Sequence, residues 1–311
     1  MIVSDQSTWI QIAAQGVAAA TPYLYAGLGE AVGQRSGVYN LGVDGIMLMG
    51  AFTAFYAAYT TESLLVAVVA AGLVGALMGL MMAFISVTLR AEQGISGIGM
   101  FIFGSGLSTL LFNALVKSPF PIDGFRAIPI PLLSDIPVLG PIFFRHDLMV
   151  YGALLLTPIA WFVINKTTLG LNIRAVGQNP QAADSLGVNV ALVRYLTVTF
   201  GGMMAGIGGA SLSVSLTNIF QQNMTNGIGF VAVALVYFGG WSPVGIFFGA
   251  LLFSIVTTLQ LWLQAFGVQV SSSLTNMLPS VVTIVALILA VRFYRTGAPA
   301  ALGRPYKRGE N

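Results

Sequence analysis

Residues 63 to 89 read SLLVAVVAAGLVGALMGLMMAFISVTL and contain no charged side chain, whereas Glu62 precedes them and Arg90 follows them. A transmembrane helix needs about 20 consecutive, mostly apolar residues. This stretch is long enough to cross a bilayer, and a charge marks each of its ends. It therefore predicts a membrane-spanning helix.

The composition of the whole chain supports the same interpretation. Hydrophobic residues make up 56% of the sequence, charged residues 7%, and the mean hydropathy is +0.86; soluble proteins have about 25% charged residues. We therefore predict an all-α polytopic membrane protein, a single transmembrane domain over residues 1–311, with about 8 to 9 transmembrane helices. Because charges are costly in a bilayer, they delimit the predicted spans: residues 8–29, 44–61, 63–89, 94–116, 148–165, 195–217, 228–240, 243–265 and 275–291.

One predicted span, residues 228–240, is too short to cross a bilayer alone, and the turn signal GGWSP at residues 239–243 follows it. Such a broken helix is tolerated only where protein covers it or where it lines a cavity. Glycine-punctuated stretches at residues 27–50 and 227–249 occupy comparable places in the two halves of the chain. They make an inverted repeat a candidate.

The basic residues predict the orientation, because Lys and Arg are retained on the cytoplasmic side. Ten of the thirteen bases are cytoplasmic if residues 166–194 form a cytoplasmic loop and residues 292–311 a cytoplasmic tail. The other three lie in residues 117–147, a proline-rich segment that we predict to be an extended extracytoplasmic loop. It is either a plain connector or a docking surface for a partner.

Several kinds of chemistry are excluded by absence. The chain has no cysteine and one histidine, His146, so neither a thiolate nor a histidine metal cluster forms. It lacks a GxxxxGK[ST] phosphate loop and therefore does not hydrolyse ATP alone. Its bases are scattered among loops, which argues against nucleic acid as a partner. In the first half, Glu30, Arg35 and Asp44 cluster in one turn, where mutual pairing is the simplest explanation.

Neutral polar residues remain within the membrane segments, since no charged residue occurs between Arg194 and Arg292. Amides and hydroxyls bind uncharged hydrogen-bonding solutes, but they also join helices to one another. Ser211, Ser215 and Asn218 recur at helical spacing on one predicted face. The candidate solute pathway consists of Asn40, Asp44, Asn113, Ser211, Ser215, Asn218 and Gln221.

Glycines also recur at helix-packing spacing, in residues 75–79, 202–206 and 245–249. Small residues at this spacing let two helix backbones approach closely. We interpret all three as packing faces.

The longest polar stretch, GLNIRAVGQNPQAADSLGVN at residues 170–189, lies between two predicted spans. Asn179 and Pro180 are typical of an N-cap and a first helical residue, and Gly187 is typical of a helix end. They predict a short surface helix over residues 180–186. Its small, shallow surface favours insertion into a groove of another protein rather than catalysis.

Three motifs together resemble the permease subunits of bacterial ABC uptake systems for nucleosides and simple sugars, a group related to ribose and branched-chain amino acid permeases. They are GLNIRAVGQNPQAADSLGVNV at residues 170–190, GEAVGQRSGVYNLGVDGIMLMGAF at 29–52, and VYFGGWSPVGIFFGALL at 236–252. The likeness extends over residues 20–295.

The resemblance implies that residues 166–194 hold a coupling helix that docks in a cleft of a separate ATP-binding subunit. The implied contact residues are Gly170, Arg174, Ala175, Gly177, Asn179, Ala182, Ala183 and Gly187. ATP and Mg²⁺ would be bound by that subunit, and this chain would need no cofactor and would not be an enzyme. The implied partners are two ATPase copies, a second related permease forming a homodimer or heterodimer, and an extracytoplasmic solute-binding protein or lipoprotein.

The function implied is import of a neutral polar solute, nucleosides above all, across the bacterial cytoplasmic membrane. Simple sugars or branched-chain amino acids are the alternative solutes. A secondary carrier would need a coupling-ion site, which the charge-free second half does not offer. A purely structural subunit would not need a capped cytoplasmic helix.

Overall fold

The computed structural model of the protein describes residues 6–265, Val281 and residues 297–307. Its long helices are α1 (Gln6–Arg35), α2 (Val43–Thr61), α3 (Leu64–Ala83), α4 (Gln93–Leu115), α6 (Leu148–Lys166), α9 (Val190–Ser211) and α11 (Pro243–Ala265). The shorter helices are α5 (Leu139–Phe143), α7 (Thr168–Gln178), α8 (Pro180–Ser185) and α10 (Ile228–Phe238). Two-residue strands β1 (Ile128–Pro129) and β2 (Arg145–His146) pair antiparallel, with Ile128 opposite His146.

This architecture confirms the predicted all-α membrane fold, and each of the eight spans predicted before residue 266 coincides with a helix. Within the described ranges, five helices are long and apolar enough to cross a membrane by length and composition: Leu64–Thr88, Gln93–Leu115, Leu148–Lys166, Val190–Leu216 and Pro243–Ala265. α1 and α2 fall outside that set and are largely buried among the other helices. The predicted span at 275–291 lies outside the described residues apart from Val281.

α9 is the central helix, and glycines explain how closely its neighbours approach it. A Cβ added to Gly202 would lie 2.4 Å from the carbonyl oxygen of Gly75 on α3, and one added to Gly206 would lie 2.3 Å from that of Ala71. Gly50 of α2 meets Gly206 in the same way. The two glycine sets predicted as packing faces, 75–79 and 202–206, therefore pack against each other. Gly245 instead packs against Gly239 in its own turn.

Two of the long helices end in a single turn of π-helix, α3 in Phe84–Thr88 and α9 in Leu212–Leu216. The wider turn changes the direction in which later side chains point. Ser211, Ser215 and Asn218 consequently do not share one α-helical face. The prediction that they do was wrong because it assumed an uninterrupted helix.

The bundle has two distinct ends. The end that carries α7, α8 and residues 297–307 is called here the coupling end, and the end that carries residues 117–147 is called the loop end. The basic residues that we predicted to be cytoplasmic, as far as the structure describes them, lie at the coupling end: Arg35, Arg90, Lys166, Arg174, Arg194, Arg304 and Lys307. Which end faces the cytoplasm stays a prediction.

At the loop end, residues 117–147 are not simply extended, since they include α5 and the β1–β2 pair. Part of the loop also packs on the bundle: the amides of Ile122 and Phe125 donate to the carbonyl oxygens of Asn218 and Val214, both at 2.9 Å. The loop thus covers the region where α9 ends.

The two glycine-punctuated stretches do not form an inverted pair. The turn after α1 and the turn after α10 lie side by side at the coupling end, where Arg35 Nε donates to the carbonyl oxygen of Trp241 at 2.7 Å. Inversion would put corresponding turns at opposite ends. These two turns are therefore not related to each other by inversion, and an inverted repeat formed by other parts of the two halves stays a prediction.

Candidate functional site

The polar stretch at residues 170–189 forms two successive helices rather than one. Thr167 caps α7 by accepting a hydrogen bond from Gly170 N at 3.2 Å. Asn179 ends α7 and starts α8, its side chain accepting from Ala182 N at 3.0 Å. Gly187 has a φ of +86° and follows the end of α8. The predicted cap, short helix and glycine turn are confirmed, whereas α7 was missed.

The eight residues predicted to contact the ATPase divide by exposure. Asn179, Ala182 and Gly187 are exposed, and Arg174 and Ala175 are partly buried. Gly170, Gly177 and Ala183 are buried within this chain. The last three thus have no surface to offer a partner, and any docking face consists of the exposed members and their neighbours.

The buried glycines attach α7 to the spanning helices. A Cβ on Gly170 would lie 2.2 Å from the carbonyl oxygen of Val163 in α6, and one on Gly177 would lie 1.9 Å from that of Arg35 in α1. Ala183 belongs to a small apolar cluster with Val176 and Val190. The exposed face of α8 is therefore mounted on the ends of α1, α6 and α9.

The C-terminal segment 297–307 strengthens this attachment. Ala301 N donates to the carbonyl oxygen of Gly177 at 2.9 Å, and Gly303 N donates to that of Gly37 at 3.0 Å. Arg194 on α9 donates to the carbonyl oxygen of Arg304 at 3.0 Å. The sequence predicted only a cytoplasmic tail, because the bonds use backbone groups that leave no residue pattern.

A buried hydrogen-bond chain continues from α1 to the turn after α10. Glu30 Oε1 accepts from Gln34 Nε2 at 3.0 Å, and Gln34 Oε1 accepts from Trp241 Nε1 at 2.8 Å. Trp241 itself is buried with a φ of +57°. The end of α1 thus contacts both α7 and the turn that joins α10 to α11.

Asp44 is the side chain that fixes the other end of α10. Its Oδ1 accepts from Gly229 N at 2.8 Å, and its Oδ2 accepts from Thr225 Oγ1 at 2.9 Å. Asp44 is 1% exposed. It therefore acts as the N-terminal cap of α10 from the first turn of α2.

This cap lies well inside the bundle. A Cβ on Gly45 would lie 2.6 Å from the carbonyl oxygen of Phe101. Phe101 is eight residues beyond the start of α4 at Gln93, which is about 12 Å at about 1.5 Å per residue. The hydrocarbon core of a bilayer is about 30 Å thick. The first turn of α2 and segment 217–227 thus meet near half depth, covered by protein.

Hydrogen bonds to neutral groups, rather than mutual pairing, satisfy the acidic and basic residues of this region. Glu30 also accepts from Asn40 N at 2.9 Å, and Arg35 donates to Trp241 as described. The predicted pairing among Glu30, Arg35 and Asp44 was wrong. Among the described residues one ion pair occurs, Arg145 with Asp135 at 3.9 Å in the loop.

The other predicted pathway residues lie in two groups. Asn40 and Ser211 are buried and bonded within the chain, to Gly42 N at 2.8 Å and to the carbonyl oxygen of Gly208 at 2.7 Å. Ser215 donates to Asp147 at 2.7 Å and joins α9 to the cap of α6. These three therefore serve the packing of the fold.

Asn113, Asn218 and Gln221 lie nearer the loop end. Asn113 is exposed and accepts from Gln222 Nε2 at 2.8 Å, and Gln221 is exposed. Within the described part of the chain, Asn218 Oδ1 is buried and has no hydrogen-bond partner. Segment 217–227 thus presents amide groups between the end of α9 and the start of α10.

Across the described ranges, no group of three or more His, Cys, Asp or Glu side chains is arranged to hold a metal ion.

Comparison with known families decides the identity. Residues 12–289 match the family model described as branched-chain amino acid transport system / permease component. The chain belongs to this family. The permease is accordingly a transport component and a multi-pass membrane protein rather than an enzyme.

Curated relatives resemble the permease over nearly their whole length. It is 36% identical to a putative glucose ABC transporter permease, TsgC13, of Haloferax volcanii, over 94% of this chain and 96% of the relative. It is 34% identical to the nucleoside ABC transporter permease NupC of Lactococcus lactis, over 92% and 93%. It is 35% identical to the guanosine ABC transporter permease NupQ of Bacillus subtilis, over 94% of each. No solved structure matches it.

Proposed function

We propose that this permease subunit forms part of the pathway of an ATP-driven importer for nucleosides in the cytoplasmic membrane. The observation that carries the solute assignment is the 34% and 35% identity to permeases named for nucleosides and guanosine. Relatives named NupB and NupC occur together in Lactococcus lactis, and NupP and NupQ in Bacillus subtilis. These pairs support a second, related permease as a partner.

In this proposal the exposed face of α8 docks on a separate ATPase, which binds ATP and Mg²⁺. Asn179, Ala182 and Gly187 contact the ATPase, and Gly170, Gly177 and Ala183 hold α8 on the bundle. Closure of the ATPase moves α7 and α8 as one rigid body, which pushes on the end of α1. The hydrogen bonds from α1 to Trp241 carry the movement to α10, and access to the central region alternates.

The chemistry around α10 supports a neutral solute. A half-length helix in a transporter commonly directs the positive end of its dipole at an anionic solute group. Here the carboxyl group of Asp44 already occupies that end. Hydroxyls and amides are then left for a solute rich in hydrogen-bonding groups, such as a nucleoside. An extracytoplasmic solute-binding protein delivers it in this proposal.

Simple sugars are the second candidate solutes. The 36% identity to a putative glucose permease and the 28% identity to the galactose/methyl galactoside permease MglC favour them. The MglC match covers 59% of this chain and is the weaker support.

Uptake by the assembled transporter separates these candidates. The permease, its ATPase, the second permease and the binding protein would be reconstituted in liposomes and supplied with labelled guanosine, adenosine, glucose, galactose or leucine. We expect ATP-dependent accumulation of nucleosides that persists when ionophores collapse ion gradients. Accumulation of sugars alone would replace the solute assignment, and ionophore-sensitive uptake without ATP would refute the importer.

The amides of segment 217–227 are the proposed solute contacts. We expect Gln221→Ala to weaken apparent uptake affinity while Asn165→Ala, at the far end of α6, does not. Asn218→Asp keeps a side chain that tolerates the positive φ of 54° and tests the unpartnered oxygen. If these changes leave the affinity for every tested solute unaltered, this pocket assignment is wrong.

A further inference from the structure

A cavity of about 440 Å³ opens at the coupling end between three parts of the chain. The segment after α3 contributes Arg90, and the stretch from α8 to the start of α9 contributes Asp184, Val190 and Ala191. The C-terminal segment contributes Tyr306 and Lys307. Small-molecule sites commonly have volumes of about 300 to 1,000 Å³. The cavity is therefore large enough for a small ligand.

The walls of this cavity are positively charged. Arg90, Arg194 and Lys307 line it, and Asp184 is the one acidic residue among the described residues that do. The excess of positive charge favours an anion, and the partly enclosed position limits screening by salt.

Arg194 supplies an independent reason to expect an anion. It is 1% exposed, and its Nε and Nη1 donate to the carbonyl oxygens of Ser36 and Arg304. Within the described part of the chain its Nη2 has no hydrogen-bond partner. Nη2 lies below the surface beside Gly37, so Arg194 adds uncompensated positive charge to the wall of the cavity rather than a direct contact with an occupant. A buried cation without a counter-ion is costly, and an anion bound nearby reduces that cost.

The N-terminus of α9 also faces this cavity. Asn189 caps the helix by accepting from Leu192 N at 3.0 Å, and its carbonyl oxygen accepts from Val193 N at 3.1 Å. Val190 and Ala191, whose amides precede the first intrahelical bonds, line the cavity. A helix N-terminus combined with arginine is the arrangement that proteins use for phosphate.

We propose that this cavity is a binding site for a phosphate-bearing anion, either the headgroup of an anionic phospholipid or a small soluble phosphate. The site is independent of the transported solute. Its walls belong to the segment after α3, the stretch from α8 to the start of α9, and the C-terminal segment, so an occupant contacts all three parts. Binding stabilises the arrangement that holds α8, because a ligand that binds only the folded form raises its stability.

Thermal unfolding of the complete transporter in nanodiscs tests the proposal. Discs of zwitterionic phosphatidylcholine receive inorganic phosphate or glycerol 3-phosphate, with potassium chloride at matched ionic strength as the salt control. A second set of discs contains phosphatidylglycerol. We expect a saturable rise in Tm in at least one set. A response to soluble phosphates identifies a free ligand, and a response confined to phosphatidylglycerol identifies a lipid headgroup.

Exposed bases provide the variants. Arg90→Gln and Lys307→Gln should each weaken the response about tenfold, the effect of losing one charge-assisted contact. The matched control, Lys117→Gln with Arg126→Gln at the loop end, changes the same charge and should respond like the wild type.

Three results would overturn the proposal. The first is no Tm response beyond the chloride control in either set of discs. The second is an equal response in the wild type and in the Arg90→Gln, Lys307→Gln double variant. The third is cross-linking of Lys307 to a carboxylate of the ATPase in the intact complex, which would make the cavity part of a protein interface.

Discussion

Replacement of Asp44 tests whether this residue anchors α10 or binds solute. Asp44→Ala removes two buried hydrogen bonds, of 2.8 Å to Gly229 N and 2.9 Å to Thr225 Oγ1. Each donor left unsatisfied costs about 1 to 3 kcal/mol, so we expect a loss of about 2 to 6 kcal/mol in the free energy of unfolding. Asp44→Asn keeps an acceptor for Gly229 and a donor for the threonine hydroxyl, and should cost about 1 kcal/mol.

The assay combines unfolding by SDS titration with uptake kinetics in liposomes. An anchor predicts that Asp44→Asn retains near-normal apparent affinity and that Asp44→Ala loses stability and maximal rate together. Because Thr225→Ala removes one of the same bonds, the double variant with Asp44→Ala should cost about 1 to 2 kcal/mol less than the sum of the single changes. Asp123→Asn, on the exposed loop, is the control. An Asp44→Ala protein of normal stability that has lost solute affinity would refute the anchor.

Two further predictions concern the packing and capping of the helices. Gly202→Ala should destabilise the bundle by about 1 to 3 kcal/mol, because its new methyl group would collide with Gly75 and Gly79 of α3. The control is Gly106→Ala, where a Cβ meets nothing within 4 Å, and it should be neutral or stabilising by up to about 1 kcal/mol. Equal Tm values for the two variants would contradict this packing. Glu92 caps α4, and the hydrogen bonds from Ile95 N and Gly94 N hold its pKa below its usual range. The ionised cap therefore stabilises the fold fully above the pKa that Glu92 has in the unfolded chain, and this stabilisation is lost as pH falls through the lower pKa of the folded protein. The Tm difference between the wild type and Glu92→Gln should accordingly be constant near neutral pH and shrink in acid. A difference independent of pH would contradict it.

The helical bundle was predictable because charge is confined to segment ends and each apolar run between charges is long enough to span. The boundaries of α10 and α11 were also predictable, since GGWSP leaves a clear turn signal at residues 239–243. Within residues 170–189, Asn179, Pro180 and Gly187 act through local backbone geometry, which the sequence shows directly.

Long-range contacts were not predictable in the same way. The roles of Asp44 and Arg194 depend on partners more than 100 residues away. Nothing in a charged residue's own neighbourhood distinguishes a cap supplied to another helix from a solute ligand. The π-turn after Ser211 likewise has no residue signature. Because of this turn, Ser211, Ser215 and Asn218 do not lie on the single helical face that the sequence predicted.

The central claim is that α8 meets the ATPase at the coupling end, and one cross-linking measurement tests it most directly. The chain contains no cysteine, so Ala182→Cys creates a single thiol on the exposed face of α8. In the intact complex a short thiol-reactive cross-linker should join residue 182 to the ATPase with a yield that changes on ATP binding, while Asp123→Cys at the loop end should give no such product. Cross-linking of the ATPase through residue 123 and not through residue 182 would contradict the account.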